Sequence, residues 1–228
     1  MIRPDGMSRV PFFKFQLKQG KIENTPMGNI ISPKTSKRLP VFIKEKDLVD
    51  LTNALNTNSE DWNGLNTKML ITIFYSTGMR LSELINLKEK QVDFSRKQLK
   101  ILGKGNKERI IPAGADLLTV IRDYINEKRK VFEKTDDALL VSSKGKKLYA
   151  KYAYNLVRGI LTEEVKTLDK KSPHVLRHTF ATHLMNNGAN LDAVKELLGH
   201  ASLASTQVYT HNTIEKLKNV YKKAHPKA

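Results

Sequence analysis

The 228-residue chain has no cysteine, a single tryptophan and few aromatic residues, 7% in all. Without a thiol, disulfide staples and thiolate metal sites are excluded, and a reducing, cytoplasmic setting fits the composition. No apolar run reaches the roughly 18–20 residues that a bilayer span requires, and no signal-peptide pattern opens the sequence, so no membrane partner is expected. There is no glycine loop of the P-loop or dinucleotide type, no internal repeat and no low-complexity tract. Acidic residues are scarce, 23 against 40 basic ones, which leaves a net charge of +17 and an isoelectric point near 9.9. Such a balance points to a polyanionic partner, with nucleic acid ahead of a membrane surface. The aromatics are not interleaved with basic residues as in single-strand readers, which favours contact with a duplex backbone. At 39% hydrophobic the chain is long enough for one good core, with at most a small appendage.

Residues 1–38 are poor in acids and punctuated by Pro4, Gly6, Pro11, Pro26 and Pro33. Within them PFFKFQLK, residues 11–18, alternates like a strand, yet Phe13 and Leu17 also share a helical face, so periodicity leaves both readings open. From Leu39 onward the pattern is regular. Lys44–Leu55 is amphipathic, Asn56–Asn63 reads as a loop, and Leu65–Thr77 is a strongly apolar helix stopped by Gly78, with Leu81–Leu87 a short continuation. Trp62 is expected at the edge of the core. The period then switches to three short strand candidates, 92–94, 98–102 and 108–111. The last two are joined by Gly103-Lys104-Gly105-Asn106-Lys107, a turn that bends sharply and presents an ammonium group. Helices resume at 115–130 and 148–164, and an amphipathic one closes the chain at 213–224 through Ile214, Leu217, Val220 and Tyr221.

The densest cluster of chemically capable residues lies between Ser172 and Thr210. Ser172-Pro173 is a helix-start signal, and small or apolar residues recur at helical spacing until Gly188. His174 and Arg177, three apart, leave the same face of that helix. A second helix, 191–198, ends at Gly199-His200, and a third is expected to carry Tyr209. A phenol is a competent nucleophile once its proton is withdrawn, and an arginine fork matches the oxygens of a phosphate. Upstream, Arg80 follows a helix stop, where it would serve as a carbonyl cap, a surface ion pair or a second phosphate fork. Glu83, three residues on, is placed to orient it. His174 and His178 stand at a zinc-compatible spacing, but neither the metalloprotease glutamate nor a cysteine accompanies them. His178 and His183 are expected to be packed or hydrogen-bonded helix residues.

The pattern H-x-x-R, then L-G-H, then a tyrosine nine residues later resembles the C-terminal signature of the tyrosine recombinase (phage integrase) family. TGMRLSEL, residues 77–84, supplies its upstream half. The resemblance runs from Leu39 to the C-terminus and is to the Xer-type branch. It implies a mainly α catalytic domain over 39–228, with a small three-stranded antiparallel sheet carrying Lys104. It further implies that residues 1–38 are a linker and the end of an N-terminal DNA-clamping domain, most of it absent. By the same resemblance Arg80, Arg177 and His200 neutralise transition-state charge, His174 handles a proton, Lys104 protonates the leaving group and Tyr209 attacks. Lys107 is a competitor for the lysine, and Tyr75, Tyr149, Tyr152 and Tyr154 for the tyrosine. The implied reaction cleaves and rejoins duplex DNA through a 3′-phosphotyrosyl link and a Holliday junction. It needs no cofactor, neither ATP nor metal. A homo- or hetero-tetramer on DNA, linked by helix 213–224, is expected, on the nucleoid of the cytoplasm. A type IB topoisomerase and a non-catalytic DNA-binding module are the rival readings; the short Xer-like layout argues against the first.

Overall fold

A computed structural model describes residues 6–26, 41–57, 61–103, 108–199 and 211–226. The chain divides into two units, Met1–Leu39 and Pro40–Ala228. In the first, α1 (Gly6–Lys18) spans the stretch whose periodicity was ambiguous, so the strand alternative is set aside. Phe12, Phe15 and Leu17 on this helix are exposed, and Phe12 meets the neighbouring Phe13 edge to face.

The second unit is built around α3 (Trp62–Thr77), where Met69, Leu70, Ile71, Ile73, Phe74 and Tyr75 are all buried. A helix apolar on every side has to be enclosed by others. Those are α2 (Glu45–Thr57), α5 (Ala115–Val131), α6 (Ala150–Glu164) and α7 (Pro173–Asn186). Asp61 caps the start of α3 by accepting the Gly64 N–H at 2.6 Å, so the polar loop is shorter than the sequence pattern suggests. The short α4 (Leu81–Ile85) follows Gly78. Among the described residues no helix is long and apolar enough to cross a membrane.

The sheet has the order β1-β2-β3 and is antiparallel throughout: β1 (Val92–Asp93), β2 (Gln98–Leu102) and β3 (Glu108–Pro112). Leu102 faces Glu108 at the open end, and Ile101 faces Arg109 one step inward. Leu99, Ile101 and Ile111 point into the core. The hairpin connection thus leaves the sheet one residue beyond Arg109.

Residues 132–149 have no regular element, yet Ala138, Leu139, Leu140 and Val141 are buried. Distant side chains satisfy their backbone. Trp62 Nε1 and Asn66 Nδ2 both donate to the Val141 carbonyl at 2.9 Å. The buried Lys128 ammonium donates to the Ala138 carbonyl at 2.8 Å and also pairs with Glu89. Trp62 itself stands at the core edge, with Tyr124 and Phe132 against its ring.

A second, smaller apolar cluster joins α7 to α8 (Leu191–Leu198) and α9 (His211–Ala224). Phe180 and Leu184 meet Val194, Leu197 and Leu198, with Leu217, Tyr221 and Ala224 of α9 closing the cluster. The C-terminal helix therefore packs on its own chain here.

Candidate active site

Three backbone devices bring the candidate residues together. The first is the end of α3. Gly78 takes the left-handed conformation (φ 58°) and returns its N–H to the Phe74 carbonyl at 2.9 Å. A Cβ at this position would lie 2.4 Å from a ring carbon of Phe180, so both its backbone angle and its surroundings demand glycine. The chain then turns, buries Met79 and presents Arg80 as the N-cap of α4.

The second device is the first turn of α4. Glu83 accepts the Arg80 backbone N–H at 2.8 Å on one carboxylate oxygen and Arg80 Nη1 at 2.9 Å on the other. This is the acidic half of a capping box, here also gripping the cap residue's own guanidinium. The Glu83 side chain is 4% exposed and that of Arg80 39%, so the carboxylate is the anchor and the guanidinium faces outward.

The third device is the C-terminus of α8, where Gly199 is again left-handed (φ 65°). The last carbonyls of a helix lack intrahelical partners and carry its negative dipole end. Here three arginines from three different elements supply donors. Arg109 Nε on β3 donates to the Leu197 carbonyl at 3.3 Å. Arg177 Nη2 on α7 donates to the Leu198 carbonyl at 2.7 Å. Arg80 Nη2 donates to the Gly199 carbonyl at 3.3 Å. Arg177 also donates through Nη1 to the Gly78 carbonyl, which ties the first device to the third.

The structure therefore brings Arg80, Glu83 and Arg177 together at the residue that precedes His200. Burial, then the neighbouring Arg80 and Arg109 charges, lower the Arg177 pKa to about 10, with Glu83 acting the other way. It stays cationic at neutral pH. His174 is exposed on the first turn of α7, three residues before Arg177. His178 is exposed as well, so of the packed or hydrogen-bonded role expected of it the packed alternative falls. Standing four residues apart, the two histidines share the outward face, while Val175, Leu176, Thr179, Phe180, His183 and Leu184 are buried. His183 is the packed one: its ring nitrogens bond with the Tyr75 hydroxyl at 3.1 Å and the Ile43 carbonyl at 3.0 Å. Lys104, Lys107, His200 and Tyr209 lie outside the described residues. Among those described, no three histidine or carboxylate side chains converge on a point where a metal ion would sit.

The residue that sequence reasoning missed is Arg109. It is 5% exposed and forks onto Glu83, with Nη1 and Nη2 each 2.8 Å from a carboxylate oxygen. Its signal was available. Arg109 and Ile111 lie two apart on β3 and so on one face, and an arginine on an inward face requires a buried counter-ion.

The pattern described as the phage integrase family matches residues 41–216, which contain every one of these side chains. The chain belongs to the phage integrase family. This integrase-family chain is 35% identical to the tyrosine recombinase XerC of Chlorobaculum parvum, with 95% of this chain and 70% of that protein covered. It is 37% identical to the tyrosine recombinase XerD of Listeria innocua, covering 95% of this chain and 73% of that one. Among solved structures it resembles the XerH site-specific recombinase bound to palindromic difH substrate in a post-cleavage complex. There the TM-score is 0.73 at 26% identity, over 93% of this chain and 64% of XerH, just under two thirds of that chain's length. The tyrosine recombinase catalytic-domain fold, mostly helical with a three-stranded antiparallel sheet, is thus the fold of this integrase-family chain.

The Glu83 carboxylate yields a stability prediction. Burial alone would raise its pKa, but hydrogen bonds and charge from Arg109, then Arg80, outweigh this and hold it down to about 2. The folded-state pKa lies below the ordinary value, so the stabilisation is present above roughly pH 4.3 and is lost as pH falls toward 2. Glu83→Gln leaves the buried Arg109 guanidinium without its counter-ion, at an expected cost of about 3–5 kcal/mol at pH 7. Urea unfolding at pH 7 and at pH 3 is expected to show that gap narrowing in acid. Equal gaps at both pH values would mean that the carboxylate charge is not what stabilises the site.

Proposed function

We propose that this chain is a site-specific DNA recombinase that cleaves and rejoins duplex DNA through a 3′-phosphotyrosyl intermediate. The observation that carries the reading is the convergence of Arg80 and Arg177 on one helix end, with their forks held by backbone carbonyls and Glu83. Two fixed guanidinium groups suit the extra negative charge that builds on the non-bridging oxygens of a phosphodiester under attack. An excess of 17 positive charges suits duplex DNA as the substrate.

In the proposed step the Tyr209 oxygen forms a bond to phosphorus while the bond from phosphorus to the 5′ oxygen breaks. The phenol proton leaves through His174, and the 5′ oxygen takes a proton from Lys104. Arg80, Arg177 and His200 balance charge on the two non-bridging oxygens. The phosphotyrosyl link keeps the bond energy, so the 5′ hydroxyl of a partner strand reverses the step with no external energy source. Exchange between two duplexes through a Holliday junction uses four such sites. We assign α9 to joining the copies, as a homo- or hetero-tetramer on DNA. Leu217, Tyr221 and Ala224 fill a site on α7 and α8 that the same helix of a neighbour would fill equally well. Residues 1–38 are assigned to a linker and the end of a DNA-clamping domain, and the setting to the nucleoid of the cytoplasm.

The test offers the full chain a pool of nicked duplexes with a randomised central sequence, in which the cleaved fragment diffuses away and traps the adduct. A covalent adduct that selects one sequence is expected. Binding with no adduct would mean a non-catalytic module. When two differently marked duplexes of the selected sequence are supplied, joined products are expected, and relaxation without joining would indicate a topoisomerase.

Lys104 has its own test. Expelling an alkoxide calls for a general acid, a contribution of typically about 10²–10⁴-fold, whereas a bridging sulfur leaves with little help. Lys104→Ala is expected to cleave ordinary DNA slowly and a 5′-phosphorothiolate duplex almost as fast as the unmodified protein. If sulfur rescues Lys107→Ala while Lys104→Ala is unimpaired, the acid is the other lysine of the hairpin.

A further inference from the structure

Arg109 is a buried fork with three attachments. Its two terminal nitrogens saturate the inner side of the Glu83 carboxylate, and its Nε reaches the Leu197 carbonyl. Its side chain also lies flat against Gly199: a Cβ there would stand 3.0 Å from its Cδ and 3.1 Å from its Cζ and Nε. On its own strand it is one step from the base of the 103–107 hairpin, paired with Ile101. One side chain therefore touches the carboxylate that orients Arg80, the helix end that holds Arg177 and the turn into His200. It does so from the strand that leads out of the lysine-bearing hairpin. Arg109 is not itself placed to bind a phosphate, since it is 5% exposed and each of its three nitrogens already donates inward.

We propose that Arg109 is a positioning residue for strand cleavage, locking Glu83 onto Arg80 and fixing the Leu197–Gly199 turn relative to the β2–β3 hairpin. This rests on the function proposed above and extends it to a residue that contacts neither DNA nor the reacting atoms. The register between the hairpin lysine and the two phosphate-binding arginines is then set by a covalently short path. From residue 108 the strand passes directly to Arg109, and from Arg109 one hydrogen bond reaches the end of α8 while two, through Glu83, reach Arg80. A displacement of about 1 Å among such groups is enough to slow a reaction by about 10²-fold.

Positioning through Glu83 has a signature that general loss of stability lacks. The charged groups facing Glu83 are Arg80 from its own turn, Arg109 from β3 and Arg177 from α7, while the end of α8 presents carbonyl oxygens. Burial opposes its ionisation, and the Arg109 bonds are the largest influence that restores it. Removing Arg109 lets the Glu83 pKa climb from about 2 toward or above the ordinary carboxylate value near 4.3. A protonated Glu83 cannot accept from both Arg80 donors, so cleavage should acquire a new acid limb.

The experiment measures single-turnover adduct formation by the full chain on the nicked duplex selected above, from pH 4 to pH 8. Arg109→Met is expected to be about 10²-fold slower, with the rate falling further as pH drops, while DNA affinity changes little. Arg109→Lys, which keeps a cation beside Glu83 but not the fork, is expected to be about 10-fold slower with the pH profile of the unmodified protein. In a Glu83→Gln background, Arg109→Met is expected to cost much less than it does alone, because the two act through one path. If the methionine variant fails to fold, the lysine variant alone decides: a rate equal to that of the unmodified protein overturns the proposal. Costs of the two substitutions that simply multiply, or a methionine variant with an unchanged pH profile, also overturn it. No adduct from the unmodified chain would instead overturn the recombinase reading itself, before Arg109 is tested.

Discussion

Tyr209→Phe is expected to retain DNA affinity and to form no covalent protein–DNA adduct. Phenylalanine keeps the ring and almost all of the volume and removes only the oxygen that would bond to phosphorus. Loss of an enzyme nucleophile is felt on the order of 10⁶-fold, which takes the adduct below detection. Most of the other described tyrosines are poorly suited to replace it. Burial pushes the Tyr75, Tyr124 and Tyr221 phenols up, away from the ionised form that attacks. The Tyr152 hydroxyl is bonded to Asn63 at the start of α3. Tyr149 is exposed at the N-cap position of α6, its ring tilted against that of Tyr152. Mass spectrometry of the trapped complex, digested to a nucleotidyl peptide, decides the matter. A phosphotyrosyl peptide that lacks residue 209 would move the nucleophile elsewhere.

How far the site was legible depends on what kind of signal each residue leaves. Arg80, Glu83 and Arg177 stand beside helix boundaries that the sequence marks plainly, by Gly78 on one side and Ser172-Pro173 on the other. Periodicity and spacing therefore put them at helix ends, while the family resemblance supplied their roles. Arg109 sits in a five-residue strand between Glu108 and Ile110, in a chain with 40 basic residues, and a lone basic residue there reads as solvated surface. Its spacing of two from Ile111 is the one sequence sign that it faces inward, and the strand pairing bears that out. Lys128 is a parallel case. It continues the stripe of Leu117, Leu118, Ile121, Tyr124 and Ile125 on α5, where a charge looks out of place until the carbonyls of Ala138 and Leu139 are seen above it.

The segment 132–149 was illegible for the related reason that its hydrogen bonds are isolated turn and bridge bonds together with bonds to side chains such as Trp62 and Asn66, and no period records such partners. Residues 11–18 were undecided differently, because a pattern that fits both 2.0 and 3.6 residues per turn contains no answer in itself, and only the resemblance pointed to the helix found there. The regular elements read well where apolar stripes and glycine or proline stops agreed. α8 was placed over Leu191–Leu198 and is found there, and the three strands differ from expectation only at their ends.

Arg177→Ala is expected to be the most damaging substitution after the nucleophile, and the geometry says why it exceeds the loss of one donor. The lost phosphate fork alone should slow cleavage by about 10²–10³-fold. The same side chain also bonds the Gly78 and Leu198 carbonyls, one at the end of α3 and one at the end of α8. Those two turns lead directly into Arg80 and His200. Truncation frees both and should misplace both neighbours, for a further factor of about 10². The combined loss is therefore expected to be about 10⁴-fold or more, against about 10²–10³ for Arg80→Ala, whose side chain ties one helix-end carbonyl, that of Gly199, besides Glu83. Lysine at 177 should rescue poorly, because a single ammonium cannot span two carbonyls and a phosphate oxygen at once. Single-turnover rates on the selected nicked duplex provide the comparison. Equal losses for the two alanine variants would show that Arg177 acts as a phosphate donor alone and that its bonds to the two turns are incidental to catalysis.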